Sequence, residues 1–139
     1  MTPEASKQVL IRFTDFINTA SETLAAELIS PDAILRVPGC SEPMRGPAGY
    51  LAIIHMMGGG FPDIQWTLEE MVAEGDKVAA RFTMRGTHLG TFFGAPSTGK
   101  KIAVQALNIY RLSGGQIIEE TGQPDLLGLL QQIGAVPAR

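Results

Sequence analysis

The chain has 139 residues, 45% of them hydrophobic and 18% charged, with a formal net charge of −3, a balance that fits one globular domain and excludes a disordered or fibrous chain. Its 11 Lys and Arg residues are scattered, with Lys100-Lys101 the only adjacent pair, so the basic stripe of a nucleic-acid binder is absent and nucleic acid is not an expected partner. A single cysteine, Cys40, excludes an internal disulfide and a multi-cysteine metal site.

Thr2-Pro3-Glu4 is a helix start: a hydroxyl cap, a proline in the first turn and an acid beside it. Val9, Phe13, Phe16, Ile17 and Ala20 then share one helical face. The charges at Glu4, Lys7, Arg12 and Asp15 argue against a signal peptide. Ser21 caps a second helix that runs to about Ile29, and Ser30-Pro31-Asp32 is expected to stop it. Ala33–Val37 reads as a short strand. Pro47 opens a third helix, Ala48–Met57, that is apolar almost all round, so it is expected to be covered on most sides and to lie across the mouth of a sheet. His55 within it reads as a packing residue. Gly58-Gly59-Gly60 is expected to end this helix. The longest uncharged stretch, Gly46–Pro62, is too short and too broken by glycine and proline to span a bilayer. No membrane is therefore expected, and a reducing, cytoplasmic setting is the default.

Four strands follow, Ile64–Glu74, Lys77–His88, Lys101–Leu112 and Gln116–Thr121. Gly75-Asp76 and Ser113-Gly114-Gly115 supply hairpin turns. Pro124 opens a last helix that packs Leu126, Leu127, Leu129, Leu130 and Ile133 inward until Gly134. Helices first and an antiparallel meander afterwards predict an α+β fold, a curved antiparallel sheet wrapped around the N-terminal helices, in a single domain over residues 1–139. The glycine-studded loop in Arg85–Gly99, carrying His88, Phe92 and Phe93, is long for a hairpin and points to a ligand-facing segment. Within it, Gly94-x-x-x-x-Gly99-Lys100 mimics the start of a phosphate-binding loop. Lys101 replaces the required Ser or Thr and a strand follows instead of a helix, so no nucleotide is expected.

Phe61-Pro62-Asp63-Ile64, the Arg85-Gly86-Thr87-His88 turn, Gly94-Ala95-Pro96-Ser97-Thr98-Gly99 and Pro124-Asp125-Leu126-Leu127-Gly128-Leu129-Leu130 resemble the SnoaL-like polyketide cyclase family. That family belongs to the cone-shaped α+β barrel superfamily typified by nuclear transport factor 2 and ketosteroid isomerase. The resemblance implies that fold. It also implies chemistry without cofactor or metal, in which a carboxylate removes a proton next to a carbonyl and a histidine holds the enolate during an intramolecular aldol closure. It places the cyclases' histidine at Asn108 and their aspartate at Gly122, so neither member of that pair is present. Superfamily members commonly pair through the outer sheet face. Here Ala103, Leu107 and Ile109 make that face apolar, and a homodimer is expected.

A period of two puts Ile102, Val104, Ala106, Asn108 and Tyr110 on one strand face, and Ile118, Glu120 and Gly122 on one face of the last strand. Glu120 in an apolar cavity would have its ionised form disfavoured and its basicity raised. Asn108 and Tyr110 could donate to a developing oxyanion, and His88 could serve as a donor at the pocket rim. Phe13, Met44, Met56, Met57, Phe61, Trp66, Phe82, Phe92, Phe93 and Val104 are the candidate ligand-binding surface. His55 and His88 lack metal-ligand spacing, and no metal or other cofactor is expected. Two readings of function remain open. One is a cofactor-independent cyclase or isomerase acting on a hydrophobic carbonyl compound. The other is a non-catalytic binder of an apolar small molecule, in which Glu120 is a solvated or paired acid.

Overall fold

The computed structural model describes residues 2–137. Helix α1 (Pro3–Thr19) starts where the Thr2 hydroxyl accepts the Ala5 N–H at 3.1 Å, and it buries Leu10, Phe13, Phe16 and Ile17. Ser21 caps α2 (Glu22–Leu28) through the Leu24 N–H. No break follows: the chain passes straight into β1 (Ile29–Arg36). The helix ends at Leu28, close to the expected Ile29, but Ser30-Pro31-Asp32 belongs to β1, which was expected only from Ala33. β1 lies parallel to β6 (Gln116–Thr121), and a bulge opens between Ile29 and Ile34. Pro31 falls inside that irregularity, where the ladder asks no N–H of it.

The sheet has six strands in the order β2-β1-β6-β5-β4-β3, with β2 (Met44–Arg45), β3 (Gln65–Glu74), β4 (Lys77–Thr87) and β5 (Lys101–Ser113). Every neighbouring pair is antiparallel except β1 and β6. The expected α+β class therefore holds, but the sheet is mixed rather than wholly antiparallel. Two side-chain amides stand in for missing strands. Asn18 of α1 donates to the Trp66 carbonyl at 2.8 Å and accepts the Trp66 N–H at 2.7 Å, pairing with β3, the edge strand. Gln132 at the end of α4 (Leu126–Gln132) likewise donates to the Ala103 carbonyl of β5 at 3.0 Å and accepts the Ala103 N–H at 2.8 Å. Each amide satisfies one donor and one acceptor, as a peptide group would.

Helix α3 (Gly46–Gly60) continues through the glycines that were expected to end it. Their poor intrinsic propensity is overridden by docking. The Leu89 and Gly90 N–H groups donate to the Gly60 carbonyl at 3.0 and 3.1 Å. A Cβ on Gly60 would lie 2.9 Å from Phe92, and one on Gly90 only 1.9 Å from the Gly59 oxygen. The loop after β4 thus lies directly on the helix end, an approach that only glycine permits. The helix is less covered than its composition suggests: Tyr50 and Ile54 are buried, whereas Ala52, His55 and Met56 are exposed. His55 is therefore not a packing residue.

Two apolar clusters fill the concave side. One joins Leu10, Phe13, Phe16, Tyr50, Val78, Phe82 and Tyr110 beneath α1 and α3. The other joins Phe61, Ile64, Met84, Phe92, Ile102, Val104, Leu129 and Ile133 beneath α4. Phe13 is the hub of the first. Its ring meets Tyr50 edge-on at 5.0 Å and Tyr110 at 5.4 Å, and it is fully buried. Truncation there removes an aromatic anchor that the surrounding helix and sheet cannot refill. Phe13→Ala is expected to destabilise the fold by about 3–5 kcal/mol in urea titration. A cost below about 1 kcal/mol would show that the ring is not structural.

Candidate active site

Between the two clusters lies a cavity of about 100 Å³, open at its mouth. Its walls are apolar, from Ile17 on α1, Ile53, Ile54, Met56 and Met57 on α3, and Leu126 and Leu129 on α4, with Trp66, Phe82 and Met84 from the sheet. Phe92 and Phe93 of the loop after β4 complete it. Phe93 holds a left-handed backbone (φ 47°) and is half exposed, while Phe92 is buried as the loop's anchor. Polar groups gather at one place, where Tyr50, Asn108, Tyr110 and Glu120 meet beside Gly122.

Strand register brings them together. Tyr110 of β5 stands directly across from Glu120 of β6, and Asn108 lies two residues along on the same face of β5. Tyr50 reaches in from α3, and its hydroxyl donates to Glu120 Oε1 at 2.7 Å. Asn108 is oriented from both ends. Its Oδ1 accepts the Gln123 N–H at 3.0 Å, and its Nδ2 donates to the Tyr110 hydroxyl at 3.1 Å. That leaves one Asn108 N–H uncommitted to a protein acceptor.

Glu120 is 2% exposed. Burial pushes its carboxyl up from 4.5 to about 7, against hydrogen bonding by Tyr50 and Tyr110, which favours the charged form. None of the ion pairs among the described residues includes it. Its neighbour Glu119 shows the opposite case on the opposite strand face. There the hydrogen bond from Arg36, at 2.7 Å, holds the carboxyl below its ordinary value. Burial and the Glu120 charge push both tyrosines well above the ordinary phenol value, so each remains a donor. Among the described residues no group of three His, Cys, Asp or Glu is gathered to hold a metal, and no helix is long and apolar enough to cross a membrane.

The sequence-derived candidates divide. Glu120, Asn108 and Tyr110 come together on the cavity floor, and Met56, Met57, Trp66, Phe82, Phe92 and Phe93 line it. His88 does not reach it. The ring is fully buried in the hairpin loop, where Nδ1 accepts the Thr98 N–H at 3.3 Å and lies 2.9 Å from the Thr98 hydroxyl. Its backbone pairs with Gly99 and Lys100. The ring faces inward, as the period of two predicts, but it packs beside Phe61 at 5.5 Å rather than on the cavity. Phe13, Met44, Phe61 and Val104 also lie off the cavity. Phe13 backs the two tyrosines, and Phe61 sits under Phe92 at 5.2 Å. Val104 faces inward but is covered by α4, and Met44 packs from β2 onto the first cluster. Tyr50 was missed in the sequence. Its signal was the stripe Tyr50, Ile53, Ile54, Met57, which carries a single hydroxyl on an apolar helical face.

The raised carboxyl makes folding pH-dependent with a definite sign. Between pH 4.5 and about 7 the unfolded chain releases the Glu120 proton while the folded chain keeps it, so this group's contribution falls as pH rises. Relative to Glu120→Gln, wild type should lose about 3 kcal/mol of stability by pH 8 and show little difference below pH 4.5. Denaturant titrations across this range check it; a constant difference between the two proteins would refute the burial of a chargeable group.

Comparison with known proteins fits this geometry. Residues 7–133 match the family described as SnoaL-like polyketide cyclase. The aklanonic acid methyl ester cyclase DnrD of Streptomyces peucetius is 28% identical over 116 residues, covering 82% of this chain and 77% of the relative. The nogalonic acid methyl ester cyclase of Streptomyces nogalater is 28% identical over 91 residues, covering 64% and 67%. Among solved structures, TsrD from Streptomyces laurentii superposes with a TM-score of 0.85 at 27% identity, covering 98% of this chain and 99% of that one. IdmH from Streptomyces antibioticus gives 0.83 at 31% identity, covering 93% and 98%. Relatives that are cyclases imply a small-molecule substrate. The α+β fold, the inward-facing floor and the match over nearly the whole chain lead to one conclusion: this protein belongs to the SnoaL-like polyketide cyclase family.

Proposed function

We propose that this chain catalyses proton abstraction next to a carbonyl in a planar, hydrophobic compound, as a cyclase or isomerase, with Glu120 as the base and no cofactor. One observation carries the reading: a chargeable carboxyl is buried in an apolar cavity with hydroxyl donors and no cation beside it. A base half ionised near neutral pH is suited to removing a weakly acidic proton. In the first step Glu120 takes the proton and the C–H electron pair moves into an enolate. The uncommitted Asn108 N–H donates to the enolate oxygen. In a cyclase, the enolate carbon then bonds to a second carbonyl carbon of the same molecule, and the resulting alkoxide recovers the proton from Glu120. In an isomerase, the proton returns to a different carbon.

Exchange of the C1 hydrogens of 2-tetralone into D₂O, followed by proton NMR, tests the step with a probe that fits an aromatic-lined cavity. Wild type should accelerate exchange over buffer, on a limb that rises with pH through about 7, and Glu120→Gln should lower the rate by about a hundredfold or more. Tyr50→Phe removes a donor that favours the ionised carboxyl, so its limb should move to higher pH. Exchange in Glu120→Gln equal to wild type would favour the non-catalytic binder, the reading supported by Asn108 and Gly122 standing where the cyclases' pair is expected.

The proposal extends to assembly. On the outer sheet face Val72, Ala79 and Ile109 line up across β3, β4 and β5, with Leu107 beside them. Val72, Leu107 and Ile109 are each more than half exposed. A second copy seated on this face would bury that row. Sedimentation should give a dimer for wild type and a monomer for Ile109→Lys; a monomeric wild type would refute it.

A further inference from the structure

We propose that Gly122 selects the substrate: the space left by its absent side chain is the slot through which the reacting carbon reaches Glu120 Oε2. The cavity would then take carbonyl compounds that present an unsubstituted C–H edge. This inference rests on the reading of Glu120 as the base.

The two carboxyl oxygens are not equivalent. Oε1 receives the Tyr50 hydroxyl at 2.7 Å, whereas Oε2 faces Gly122. A Cβ built on Gly122 would lie 3.6 Å from Oε2 and 3.6 Å from Asn108 Oδ1, with the Arg36 carbonyl at 3.7 Å. A side chain at that point would touch Oε2 and stand in the approach by which a substrate carbon comes within reach of that oxygen. It also lies beside the Asn108 amide, whose Nδ2 retains one uncommitted N–H for the carbonyl oxygen of the same substrate.

Nothing in the fold requires a glycine there. Gly122 is absent from the positions with positive φ, its N–H donates to the Arg36 carbonyl at 2.9 Å as any residue could, and the three contacts are at ordinary van der Waals distance. Gly60 and Gly90 are different, because there a Cβ would collide with Phe92 or with a backbone oxygen. A buried glycine that neither backbone nor packing demands, on the cavity floor against the base, leaves volume that belongs to the ligand.

The test compares wild type, Gly122→Ala, Gly122→Val and Glu120→Gln by thermal unfolding and by 2-tetralone exchange. Gly122→Ala should melt within about 2 °C of wild type, because its new contacts are unstrained, while exchange falls by about tenfold or more, and further in Gly122→Val. On wild type, 1-methyl-2-tetralone, whose reacting carbon carries a methyl group, should exchange about tenfold or more slowly than 2-tetralone, each normalised to its buffer rate. Three results would overturn the slot: undiminished exchange in Gly122→Ala, a large loss of its melting temperature, or equal treatment of the two ketones. If the slot fails while Glu120→Gln is inactive, the assignment of the base stands. If Glu120→Gln exchanges like wild type, both fall.

Discussion

Burying a carboxyl without a cation opposes folding at neutral pH, since the charged form must leave water for a site where only hydroxyl dipoles receive it. The fold around Glu120 is organised by that constraint. Tyr50 and Tyr110 arrive from different elements, a helix and the neighbouring strand, and Asn108 fixes Tyr110 in turn. Phe13 and Phe16 then pack against Tyr50, and Phe13 reaches Tyr110 as well. The site is therefore held by the same aromatic cluster that closes the first core. Its order comes from packing behind the polar groups, and the raised proton affinity of Glu120 comes from burial with no positive charge among them.

The contrast between adjacent residues makes the physical cause plain. Glu119 and Glu120 share a strand and a side-chain type. Pleating turns one outward to Arg36 and the other inward to two phenols, and their proton affinities move in opposite directions. The scaffold needs no unusual backbone at Glu120 itself. Strain and close approach are found instead where the loop after β4 docks on the end of α3, at Gly60, Gly90 and Phe93. The molecule thus separates a floor of paired strands from a rim built of loop and helix end.

How much of this could be read in the chain differs from element to element. Alternation along β5 was enough to place Asn108 and Tyr110 on one face, and Tyr110 stands across from Glu120; on β6 a register shift interrupts the period, so Ile117 rather than the expected Ile118 is buried with Glu120. At His88 the same alternation holds for burial but does not reach the site, because the ring lies beside Phe61 and is bonded to Thr98. Apolar character alone could not separate cavity lining from core, so Phe13, Phe61 and Val104 were grouped with Trp66 and Phe82. Only the course of α1 and α4 over the sheet distinguishes them. The parallel partnership of β1 and β6, and the helical glycines of α3, were illegible for a similar reason. Both are set by contacts between segments far apart in sequence, which override the local signals of Pro31 and Gly58–Gly60.

Burial beside tyrosines and away from cations raises the Glu120 carboxyl toward neutrality. Carbon-13 NMR of the glutamate side-chain carboxyl, assigned by loss of its resonance in Glu120→Gln, measures this directly. The expected midpoint is about 7, and it moves upward in Tyr50→Phe. A midpoint near 4.5, the value of a free glutamate, would contradict it.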